Sequence, residues 1–164
     1  MIEVARKPSI AISQYSPAKH YSEIESRCFV VRHNDRDRKP GEVIVTYQSL
    51  VQIEQSRPSV AQALVAKGLT NSDLIADVVD FYPNGRDADP NDRTVVRKGI
   101  GTQVFQYVLN HCSERSVHGV FVYSREHCMQ KFLLEKFEFD LLTEQRPTMY
   151  YKTVKPMASF PSSW

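Results

Sequence analysis

Cysteine is scarce in this chain. Cys28, Cys112 and Cys128 are the only three in 164 residues, an odd number with no CxxC pair. That argues against a disulfide framework and against a zinc site, and points to reduced thiols in a cytoplasmic protein. An excess of one charge is lacking too. Lys and Arg total 21 against 19 for Asp and Glu, a net of +2, which gives no electrostatic argument for nucleic acid or a membrane surface as partner. No apolar run approaches the about 18 residues of a membrane span. Met1–Ile10 carries Arg6 and Lys7 without an apolar stretch behind them, so a secretory signal is not expected. There is no internal repeat and no low-complexity tract. What is present is ordinary: 41% hydrophobic, 10% aromatic and 24% charged residues, the composition of a globular chain long enough for one domain.

Periodicity and punctuation outline the elements. Ser9–Tyr15 alternates and predicts a strand. Ala18, Tyr21, Ile24 and Cys28 recur at helical spacing behind Ser16-Pro17 and predict an amphipathic helix over Pro17–Phe29, followed by a charged loop, Arg32–Pro40. Glu42–Gln55 fits both periods, with β-branched residues favouring strand in its first half. Pro58–Lys67 reads as a helix closed by Gly68, and Asp73–Tyr82 as a strand broken by Pro83-Asn84-Gly85. Asn84–Thr94 is a polar loop. Ile100, Val104, Val108 and Cys112 form the buried stripe of a long helix ending near Arg115. Val117–Ser124 is a strand, Glu126–Phe137 a helix, and Phe139–Leu142 and Met149–Val154 two closing strands.

The chemically informative segment is Val96–Thr102, in which Gly99 and Gly101 flank one apolar residue at the start of the long helix. Glycine lets a ligand approach the backbone, and the free amides of a helix start carry partial positive charge. Arg97 and Lys98 add to it. Such a segment is built to hold phosphate. A Walker loop is absent, and the dinucleotide fingerprint lacks its third glycine because position 104 is Val104.

This segment, its strand–loop–helix–strand–helix context and the later run Leu133–Phe139 resemble the GNAT superfamily of N-acetyltransferases. The pyrophosphate motif of that family runs Gln or Arg, two residues, Gly, one residue, Gly or Ala. Val96–Gly101 matches both glycine positions. The second segment of the family reads LYEKLGF, and here it is Leu133-Leu134-Glu135-Lys136-Phe137-Glu138-Phe139. The resemblance spans about Ser9–Val154 and is specific over Asp77–Phe139. Departures are Val96 at the polar position, Glu138 for the glycine and Leu134 for the tyrosine that often acts as general acid. Another is a single expected strand, within Glu42–Tyr47, where the family has a hairpin.

The resemblance implies a mixed α/β (α+β) fold, a central twisted sheet flanked by helices. It implies one acyl-CoA-binding domain over residues 1–154, with a tail, 155–164, that is loose or packed on a neighbour. It also implies an enzyme that moves an acetyl group from acetyl-CoA, its cosubstrate, directly to a primary amine, without a metal. The expected partners are a small-molecule or protein amine, with neither nucleic acid nor membrane, and there is room for a homodimer. Residues Arg97, Lys98, Gly99, Ile100, Gly101 and Thr102 would cradle the pyrophosphate, and the backbone of Val79 and Phe81 would lie nearest the thioester. Asp77 and Asp80 are the candidate proton acceptors, expected on opposite faces of a regular strand. His127 stands where the family often has Asn and could bond the pantetheine arm or relay a proton. The acceptor would be shaped by Phe29–Pro40 and Glu144–Thr148, whose arginines suit a carboxylate-bearing amine. One alternative is a non-catalytic CoA-binding or protein-interaction module, favoured by Leu134 and Glu138. Another is a synthase that acylates a metabolite amine.

Overall fold

Alternating and β-branched runs form a seven-stranded sheet in the order β1-β2-β3-β4-β5-β7-β6. The computed structural model describes residues 10–15, 24–33, 39–85, 99–124, 127–143 and 148–154, with the backbone alone for His127 and Cys128. The strands are β1 (Ile10–Tyr15), β2 (Glu25–His33), β3 (Gly41–Gln48), β4 (Ile75–Tyr82), β5 (Gly119–Tyr123), β6 (Asp140–Thr143) and β7 (Met149–Thr153). All neighbouring pairs are antiparallel except β4 and β5. The helix α3 (Ile100–Glu114) makes the crossover that a parallel pair requires. Helices α1 (Leu50–Ser56) and α2 (Pro58–Ala66) join β3 to β4, and α4 (His127–Lys131), prolonged by a π-helical turn over Phe132–Lys136, leads to β6.

Strand alternation sorts the core onto two faces. On one, Val43, Val45, Val78 and Val122 lie under α3, whose Ile100, Val104, Phe105 and Val108 are buried with Leu133 and Phe137. On the other, Ile75, Phe121, Met149 and Tyr151 are covered by Leu50, Ile53, Val60 and Leu64 of α1 and α2. Local signals fix the helix ends. Ser49 and Gln52 cap α1 reciprocally, and Pro58 opens α2. Gly68 closes α2 at φ 93° while Leu69 N–H donates to the Leu64 carbonyl at 3.3 Å.

Two expectations are corrected. The segment Glu25–Phe29, expected at the end of a helix, lies in β2, and so do Arg32 and His33, expected in a loop. The helical spacing loses to pairing on both edges: β2 is zipped between β1 and β3, and Phe29 and Val31 reach the core at a two-residue period. Residues 16–23 lie outside the described residues. Consequently β2 and β3 form the hairpin that the sequence did not announce, and β4 is the fourth strand. The ambiguous Glu42–Gln55 divides into strand and then helix. The described architecture is a mixed α/β fold, one sheet flanked by helices, as the resemblance implied.

Candidate functional site

The site is set by where β4 stops pairing. Its first half, Ile75–Val78, pairs with Gly119–Val122 of β5, but β4 runs on to Tyr82 with register partners in β3 alone. Among the described residues the β5-side edge of Val79–Tyr82 therefore has no strand partner. A notch opens between two parallel strands, with backbone donors and acceptors along one wall.

The start of α3 closes the same end. Gly99 takes the N-cap position at φ 78°, a left-handed conformation that glycine adopts without strain. No described side chain caps this helix, in contrast to α1. The amides of Ile100, Gly101 and Thr102 belong to the first turn and have no acceptor within the helix. A Cβ placed on Gly99 would meet no described atom within 4 Å, and free amides at a helix start suit a phosphate group. Ile100 is buried and anchors the helix start in the core, so its contribution to a ligand is its amide. Gly101 sits against Pro83, the residue that ends β4. Arg97 and Lys98 lie outside the described residues. A cation is nevertheless present: Lys136 Nζ donates to Thr102 Oγ1 at 3.5 Å and lies 5.9 Å from the Phe132 ring centroid. Lys136 is not among the residues expected at the site; its signal is its place in the LLEKFEF run.

The two carboxylates are brought to one face, not two. The β3–β4 register passes from Val45↔Val78 to Ile44↔Asp80, which leaves Val79 as an extra residue in β4. One inserted residue reverses alternation beyond it. Phe81 consequently turns toward α3, its ring 5.3 Å from Phe105, while Asp80 joins Asp77 on the α1–α2 side. The expectation of opposite faces assumed a regular strand, and the bulge overturns it. Val79 itself is half exposed at the notch.

Asp77 is only 3% exposed. Its Oδ2 accepts from Arg57 Nη1 at 3.2 Å, and the Arg57 guanidinium lies 6.0 Å from the Phe121 ring centroid. Burial pushes the Asp77 carboxyl up to about 6, against the pull of Arg57. Arg57 was missed in the sequence because its partner is 20 residues away on another element. Its placement is rigid: its N–H ends α1 on the Ile53 carbonyl and its carbonyl receives the Ala61 N–H of α2.

Other candidates separate from this site. The backbone of His127 opens α4, and its side chain lies outside the described residues, as does that of Cys128. Leu134 is 44% exposed and has no proton to give. Tyr150 and Tyr151 are buried, and burial raises both phenols, which makes them poorer acids near neutrality. His118 Nε2 stands 3.2 Å from Asp73 Oδ1, and His111 Nδ1 3.0 Å from the Tyr47 hydroxyl. Among the described residues no group of three His, Cys, Asp or Glu could hold a metal ion, and no helix is long and apolar enough to cross a membrane.

No protein-family model and no curated protein sequence matches the chain. Among solved structures, FeeM, an N-acyl amino acid synthase from uncultured soil microbes, aligns over 79% of this chain and 69% of its own, at TM-score 0.48 and 13% identity. AtaT, in a complex with acetyl-methionyl-tRNAfMet, aligns over 78% and 71%, at TM-score 0.44 and 14% identity. Both likenesses are distant.

Proposed function

We propose that the chain is an N-acyltransferase that moves an acetyl group from acetyl-CoA directly to a primary amine. The observation that carries this is the junction of the β4–β5 notch with the uncapped start of α3. A strand edge with no described strand partner leads to a helix start whose first amides have no acceptor within the helix. The amides of Gly99–Thr102, with Lys136 and the sequence neighbours Arg97 and Lys98, would hold the pyrophosphate. The backbone of Val79–Phe81 would pair with the pantetheine arm. On the α1–α2 face, Asp77 takes the amine proton, directly or across one water, and Asp80 lies further along the same strand. The new bond joins the amine nitrogen to the acyl carbon, the carbon–sulfur bond breaks, and the thiolate is protonated by solvent or His127. A carboxyl titrating near 6 is ionised at neutral pH yet close enough in affinity to accept a proton.

Acetyl-CoA should raise thermal stability. At about 100 times Kd the linkage amounts to roughly 2.7 kcal/mol. Gly101→Asp should abolish the shift by adding a side chain and a negative charge beside the amides. A shift with a dinucleotide but none with any CoA species would sink the proposal. Leu134 favours a second function, a CoA-binding module without catalysis. Binding without thiol release in the presence of pooled amines would establish it.

A further inference from the structure

Among the described residues Arg115 and Arg57 each hydrogen-bond a carboxylate, and they do so differently. Arg115 grips Glu25 with both ends of its fork, Nη1 to Oε1 at 2.5 Å and Nη2 to Oε2 at 2.8 Å. Its hydrogen-bonding is spent on holding α3 to β2. Arg57 donates one N–H to Asp77 over 3.2 Å, and its side chain is 44% exposed. A guanidinium has five N–H donors in a planar fork. Apart from Asp77 and the Phe121 ring, the Arg57 fork has no described hydrogen-bond partner, and it stands partly exposed beside a carboxylate that is itself buried.

We infer that Arg57 binds the carboxylate of the acceptor, and that the acceptor is a small α-amino acid whose amine is thereby delivered to Asp77. This rests on the acyltransferase function proposed above and specifies its second substrate. An α-amino acid carries its ammonium and carboxylate on one carbon. The Arg57–Asp77 pair presents the opposite charges at the same close spacing, so each charge of the zwitterion meets its complement. The fork suits a carboxylate because two parallel N–H groups match two oxygens. Its position does not depend on a flexible loop, since Arg57 ends α1 and begins α2, and both helices are anchored through Ile53, Val60 and Leu64. The pair lies on the face opposite α3. The amino acid would therefore arrive from the α1–α2 side while the nucleotide end of the donor lies at α3.

The test is acceptor discrimination by the full chain. Thiol release from acetyl-CoA is measured with the proteinogenic α-amino acids, first pooled and then singly. The same is done with their carboxamides and with the amines that lack the carboxyl group. The amino acids should exceed both analogues in kcat/KM by about 10- to 100-fold, the worth of a charge-assisted hydrogen bond. Arg57→Leu should bring that ratio close to one, chiefly through KM, and Arg57→Lys should restore part of it. If the wild-type protein acetylates carboxamides and plain amines as well as amino acids, the inference falls while the acyltransferase function stands. If no amine releases thiol although acetyl-CoA binds, both fall. Should Arg57→Leu not fold, the wild-type ratio and Arg57→Lys still decide.

Discussion

At the scale of the residue, Asp77 links the site to the stability of the fold. The folded chain raises this carboxyl from 3.8 to about 6, so it binds a proton more tightly than the unfolded chain does. Between those pH values the native state carries more protons, and stability must fall as pH rises. The two-unit difference caps the effect at about 3 kcal/mol. Urea unfolding across pH 4 to 7 should show this decline in the wild type and a flatter profile in Asp77→Asn. An equal slope in both would remove Asp77 from the account. The same variant should lose about 10²–10⁴-fold in kcat/KM with acetyl-CoA affinity nearly unchanged, and wild-type activity should climb through pH 6. Glu138 shows a second residue-scale tension. It adopts φ 56° where the resembled family has glycine, and the Phe139 N–H closes the turn onto the Leu133 carbonyl at 3.0 Å. The backbone keeps the left-handed turn without the residue suited to it. Glu138→Gly should raise stability by up to about 1 kcal/mol in thermal unfolding, and a drop would mean that the Glu138 side chain makes a compensating contact.

At the scale of the element, legibility followed the reach of the signals. The helices α2 and α3 could be read because their caps, proline and four-residue stripe are local. The glycine segment could be read because a helix start needs nothing distant to be recognised. The strand β2 could not, since its helical spacing was undone by neighbours on both edges, and neither neighbour is visible in its own residues. The bulge at Val79 was likewise invisible. It exists as a mismatch between β3 and β4, and it alone decides that Asp77 and Asp80 share a face. The Arg57–Asp77 contact belongs to the same class. Pro40-Gly41 looked like the end of a loop, yet Gly41 opens β3 directly against the chain end of β4. A Cβ there would fall on the Pro83 carbonyl oxygen. Gly41→Ala should cost about 1–3 kcal/mol or more, because the element that must yield is backbone. An unchanged melting temperature would show that the turn after β4 gives way freely.

At the scale of the whole molecule, the sheet is an antiparallel meander, β1 to β4, and an antiparallel set in the order β5-β7-β6, joined at the one parallel pair. That joint has four register positions, Ile75 to Val78 against Gly119 to Val122, and then the strands part. The notch is thus the unfinished portion of a seam. A molecule lying in it would complete the stitching, making one cooperative unit of what is otherwise two zippered sheets meeting over a short length. Amide hydrogen exchange would register this as a change of unit and not only of strength. Acetyl-CoA should slow exchange in β5 and β7 together with the second half of β4, while β1 and the outer edge of β2 stay nearly as they were. Uniform slowing across all seven strands would mean that the seam is already closed without a ligand.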